Sequence, residues 1–222
     1  MPAIPAPDLA DLRQYLLELT NQARAENGLR SVAEDDFAAE VAQGHAEEMA
    51  TYQYMSHWDR SGYGPDVRYS LAGGSEAVQE NVYAARYWTN NGRPVPISDW
   101  RAEVKIAHES WMSSPGHRAN ILNPAHTHMG AGIAYYSATG DLRLAQEFIN
   151  RYVALVPIPR VAAIGDTVTL SGRLLPGAGN PLLNLDYELL PAPFTPAELN
   201  ATGSYSSPAQ FVAAIEPVVA SD

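Results

Sequence analysis

The spacing of hydrophobic residues changes once along this 222-residue chain, and that change constrains the fold more than any other feature. Leu9, Leu12, Leu16, Leu19 and Ala23 recur at three- and four-residue steps, which predicts an amphipathic helix. Asp8 is placed to cap it and Asn27-Gly28 to stop it. A second helix is expected from about residue 36 to 52, with Phe37, Val41, His45 and Met49 on one stripe and Asp35 or Asp36 as cap. A third runs from Trp100 to Met112, with Val104, Ala107, His108 and Trp111 on its apolar side, and ends at Ser113-Ser114-Pro115-Gly116. After Asn123-Pro124 the pattern becomes that of strands. Gly130–Tyr136 and Leu142–Ile149 are joined by Ser-Ala-Thr-Gly-Asp, a hairpin signal. Helices followed by a hairpin predict an α+β domain. Between the second and third helices, residues 56–74 carry Gly62, Gly64, Pro65, Gly73 and Gly74 and read as loop with a short helix.

From Pro157 onward proline becomes frequent and the helix pattern fades. Val168–Gly172, Leu185–Leu189 and Phe211–Ile215 read as strands parted by turns, so the expected division is a domain over 1–156 and a small β-sandwich-like module over 157–222.

Lys and Arg number 14 against 25 Asp and Glu, a net charge of −11. Such a surface repels phosphate backbones and anionic headgroups, which argues against nucleic acid and against polybasic membrane docking. With no cysteine there is no disulfide, thiolate nucleophile or cysteine-held zinc. No apolar run is long enough for a transmembrane segment. The first residues lack the basic and apolar regions of a signal peptide, which fits either a cytosolic chain or a mature exported one.

His108-Glu109 begins like a zinc-protease helix, but Met112 occupies the place of the second histidine, and a thioether is a poor zinc ligand. The candidate chemistry lies elsewhere: His57 just beyond the second helix, Glu80 in the segment Gln79–Tyr83, and Ser114 and His117 around the Pro-Gly break. Two imidazoles and a carboxylate from separate segments can hold a divalent metal, bind a polar ligand, or act as general acid and base. The plainer readings are that Glu80-Asn81 bridges backbone groups and that a loop histidine is merely hydrogen-bonded. His45 and His108 lie on apolar stripes and read as packing residues, His126 and His128 as exposed ones, and the four tryptophans as core rather than carbohydrate platforms, although Trp58 and Trp88 lie in polar loops. No Gly-x-Ser-x-Gly elbow surrounds Ser113 or Ser114, which argues against a serine hydrolase.

The order Ser56-His-Trp-Asp59, Gln79-Glu-Asn-Val-Tyr83, His108-Glu-Ser-Trp-Met-Ser-Ser-Pro-Gly-His-Arg-Ala-Asn-Ile-Leu-Asn-Pro124 and Ala145-Gln-Glu-Phe148 resembles the CAP superfamily of SCP-like extracellular proteins, especially its bacterial branch. Asn21–Gly28 is similar to that branch's first helix, and the resemblance covers about residues 9–153. It implies a three-layer α-β-α sandwich and a cleft with a His-Glu-Glu-His tetrad able to hold zinc or another divalent ion. By position the tetrad falls on His57, Glu80, Ser114 and His117, so serine stands where the second glutamate belongs, and Gln79 replaces a glycine. What this implies is a secreted, non-catalytic module using the cleft for a divalent metal or for a lipid, sterol, glycan or extracellular protein ligand. The alternative is a metal-assisted hydrolase, with His57 and His117 as metal ligands and Glu80 as general base.

Overall fold

The structure, a computed structural model, describes residues 7–159, 161–178, 185–189, 193–202 and 210–215. The elements in order are α1 (Leu9–Glu26), β1 (Ala33–Glu34), α2 (Asp36–Tyr52), α3 (Pro65–Ala72), β2 (Ala77–Arg86), α4 (Trp100–Ser113), α5 (Pro115–Ile121), β3 (His128–Tyr136), β4 (Asp141–Asn150), β5 (Val153–Leu155), β6 (Gly172–Leu174), β7 (Leu185–Leu189), α6 (Pro196–Thr202) and β8 (Gln210–Ile215). Asp8, Asp35 and Asp99 cap α1, α2 and α4, each accepting from backbone N–H groups of the first turn.

Four strands form one mixed sheet in the order β1-β3-β4-β2, with β1 parallel to β3 and the other pairs antiparallel. Side-chain alternation divides its faces. Met129, Ala131, Ile133, Leu142, Leu144 and Phe148 pack with Leu12 and Leu16 of α1 and Val104, Ala107 and Trp111 of α4. On the opposite face Ala134, Ala145 and Val82 pack against Ala42, Ala46 and Met49 of α2. The result is the expected three-layer α-β-α sandwich. The α2 layer lies unusually close to β3: a Cβ on Gly130 would stand 2.2 Å from the Ala39 amide nitrogen, and one on Gly132 2.2 Å from the Ala42 carbonyl oxygen. Glycine on the strand and alanine on the helix permit that approach.

Among the described residues, those beyond 157 supply β6, which pairs with β5 of the preceding segment, the β7-β8 ladder and the helix α6. The β5-β6 ladder spans the expected 156/157 boundary. Of the expected strand Val168–Gly172 only Gly172 is in a strand, while Leu185–Leu189 and Phe211–Ile215 are as expected.

Candidate functional site

The edge strand β2 supplies the center of the site. Glu80 points to the α2 face, directly opposite Glu147 of β4, whereas Asn81 points to the other face beside Gln146. Because β2 borders the sheet, residues of both layers meet over its free edge. There His57, Trp58, Pro65, Gln79, Glu80, Asn81, Gly116, His117, Ala119, Asn120 and Asn123 line a cavity of about 510 Å³. His57 arrives from the loop after α2, and His117 from α5.

Pro115 places His117 by starting a helix. The chain leaves α4 at Ser114, just before the Pro-Gly pair, as expected; Pro115 then occupies the first turn of α5, where its missing N–H costs nothing. Ser114 ends α4 and begins α5, and it makes no side-chain capping bond. It is not among the residues lining the cavity. Asn81 donates to the carbonyl of His117 and to Gln146, and accepts from Asn120. Arg24 of α1, fully buried, donates to the carbonyls of Ile121 and Asn123 and so anchors the far end of α5.

The carboxylate of Glu80 is fully engaged. Its Oε1 lies 2.9 Å from His57 Nδ1, and Arg68 Nη2 donates to its Oε2 at 2.7 Å. Arg68 also donates to the carbonyls of His57 and Tyr63, pinning the loop to α3. Burial opposes ionization of Glu80, but Arg68 and the two neighboring histidines outweigh it, leaving the carboxyl at about 2. With Glu80 ionized, Nδ1 of His57 is the protonated nitrogen.

Two further buried groups lie beside Glu80: His45, read from the sequence as a packing residue, and Glu147, which sequence reasoning missed. His45, on the apolar stripe of α2, donates from Nε2 to the carbonyl of Ser56, and burial pushes it down to about 3. Glu147 has no exposed side chain, and neither carboxyl oxygen has a hydrogen-bond partner among the described residues. Burial first, then the charge of Glu80, raise it well above the usual carboxylate range, which favors its neutral form. The signal for Glu147 was its place in Ala145-Gln-Glu-Phe148, an acid inside an apolar strand. Arg68 had no signal, lying in a stretch read mainly as loop. His117 is lowered by burial and then by His57. His126 was expected to be exposed but is 1% exposed, stacked 4.6 Å from Phe148.

The donor set does not fit a firmly held divalent ion. Both oxygens of Glu80 are occupied, serine stands at the second glutamate position, and no group of three or more His, Asp or Glu is arranged for a metal among the described residues.

Residues 17–153 match the family described as CAP, the cysteine-rich secretory protein family. The chain belongs to that family. Two Bacillus subtilis proteins are similar: the uncharacterized membrane protein YlbC, 32% identical over 63% of this chain, and the uncharacterized protein YkwD, 31% identical over 61%. The matched regions span only 34% and 46% of those relatives. An extracellular SCP-domain protein from Bacillus anthracis shares the fold at 24% identity and TM-score 0.51, over 67% of this chain and 45% of that one. An outer surface protein of Borrelia burgdorferi does so at 17% identity and TM-score 0.54, over 67% of this chain and 99% of that one. No helix among the described residues of this CAP protein is long and apolar enough to cross a membrane.

Proposed function

We propose that this CAP protein is a secreted, non-catalytic binding module whose ligand sits in the cleft over β2. The observation that carries the reading is the double engagement of Glu80. A carboxylate held near 2 is a weak base at neutral pH, far from the matched value that general-base catalysis needs. The same engagement ties Glu80 to His57 and Arg68 rather than leaving it for a metal, which weighs against the hydrolase alternative and against zinc or another divalent ion as a resident cofactor.

The cleft wall suits an uncharged ligand with one apolar face. Much of it is carbon, with Trp58, Pro65 and Ala119 beside the amides of Gln79, Asn81, Asn120 and Asn123. The Glu80 and Arg68 charges cancel, and the lowered His117 is neutral near pH 7. A sugar ring has such a character, with a C–H face for the indole and hydroxyls for the amides, so a glycan is the favored ligand. Placement outside the cytoplasm is supported by the extracellular Bacillus anthracis protein.

The test is calorimetric titration of the purified protein with soluble oligosaccharides, with lipid and sterol vesicles and a protein panel as the other arms. Glycan binding that falls about tenfold or more in His117→Ala is expected, the loss of an interaction worth about 1.4 kcal/mol. Turnover that disappears in His57→Ala, or stoichiometric zinc retained after loading and lost in His117→Ala, would refute the reading.

A further inference from the structure

The loop that carries His57 is closed by residues beyond the family domain. Within the domain, residues 53–60 are already tied at several points. Tyr54 N–H donates to Met49, Arg143 donates to the Tyr54 carbonyl, His45 to the Ser56 carbonyl, Arg68 to the His57 carbonyl, and the Arg60 N–H to Glu48. Three backbone groups of the loop are instead satisfied by α6 and the residue pair before it. Asn200 Nδ2 donates to the Gln53 carbonyl at 3.2 Å, and Asn200 Oδ1 accepts from the Met55 N–H at 3.2 Å. The Phe194 N–H donates to the Arg60 carbonyl at 2.7 Å.

Apolar packing joins the two contacts. Leu199, only 2% exposed, belongs to the cluster of Met49, Ala50 and Tyr54, with Phe194 and Trp58 against it. Gln53 gives the arrangement its need. It is the one non-glycine residue with positive φ among those described, at 58°, and it caps the end of α2, its N–H donating to the Met49 carbonyl. An isolated left-handed glutamine is held only where its surroundings fix it.

We infer that residues 193–202 act as an intramolecular clamp that positions the His57 loop, with Asn200, Leu199 and Phe194 as positioning residues for the cleft. The clamp touches the loop at both ends, at Gln53 and Met55 and again at Arg60, with His57 between them. Shape in the cleft therefore depends on a segment outside the family domain. The inference goes beyond the binding proposal, and its test reads the loop itself, so failure of one leaves the other standing.

Two full-length variants, Asn200→Ala and Leu199→Ala, are compared with the parent by hydrogen exchange and by imidazole 1H–15N spectra. Asn200→Ala leaves the apolar contacts intact and so keeps the test valid should Leu199→Ala fold poorly. The clamp predicts that amides of residues 54–60 exchange at least roughly tenfold faster in Asn200→Ala, which removes two hydrogen bonds to the loop. Amides of β3 and β4 should keep their rates. His57 resonances should shift or broaden while those of His126 stay in place, and Asn200→Gln should restore part of the protection. Unchanged exchange in the loop overturns the inference. So does an equal rise across loop and sheet, which would mark the segment as a general stabilizer.

Discussion

Glu80 and Glu147 face each other across β2 and β4, and one guanidinium serves both. Like charges directly opposite in a sheet repel, so a single ionized carboxylate with a protonated neighbor is the stable arrangement. Arg68 stands 2.7 Å from Glu80 and 3.9 Å from Glu147, close enough to exchange partners. Arg68→Met leaves Glu80 buried with only its histidines, and a loss of about 3–5 kcal/mol is expected in urea unfolding. Glu80→Gln should cost less, because Glu147 can ionize and take over the guanidinium. The double variant Glu80→Gln/Glu147→Gln removes both carboxylates, and its loss should exceed the sum of the singles by about 1 kcal/mol or more. Strict additivity in the double-mutant cycle would show that Arg68 has a single partner.

The helices of the family domain were legible in the sequence because each carries its own stripe and cap. Asp35 begins α2 and Asn27 ends α1 as expected, and the β3–β4 hairpin lies within two residues of its expected ends. Strand β2 was not read, since Glu80-Asn81 interrupts its apolar pattern for the sake of the site. α5 and α6 were missed because seven residues are too few to show a period. His57, Glu80 and His117 do share a cavity, but that was carried by resemblance; spacing left several readings open. The glycines show how an element's environment overrides its local preference. Gly44 lies exposed inside α2 with nothing near its missing Cβ, whereas Gly132 faces the same helix from β3. Gly44→Ala is expected to stabilize by about 0.5–1 kcal/mol through helix propensity. Gly132→Ala must push α2 off the sheet and should cost about 1–3 kcal/mol. Thermal unfolding of the two variants, one melting above and one below the parent, checks both.

Over the whole molecule, buried titratable groups pull stability in opposite directions with pH. Burial depresses His45, His108, His117, His126 and His128. The unfolded chain takes up protons at these sites below about pH 6.5, where the native one resists, so stability falls as the medium becomes acidic. For His45 that window runs from 6.5 down to about 3. Glu147 has the reverse sign. Its folded value is raised, so its contribution is complete below the unfolded carboxyl value and is lost as pH climbs toward the folded one. While the native acid stays protonated and the unfolded one is ionized, that loss is about 1.4 kcal/mol per pH unit. The two arms predict a stability maximum on the acid side of neutrality, and Glu147→Gln separates them. The variant should keep the fall below pH 6 and lose most of the decline above it, so that it melts higher than the parent at pH 8. Urea unfolding from pH 4.5 to 9 measures both arms. A parent-like decline in Glu147→Gln would mean that the buried proton sits on another group.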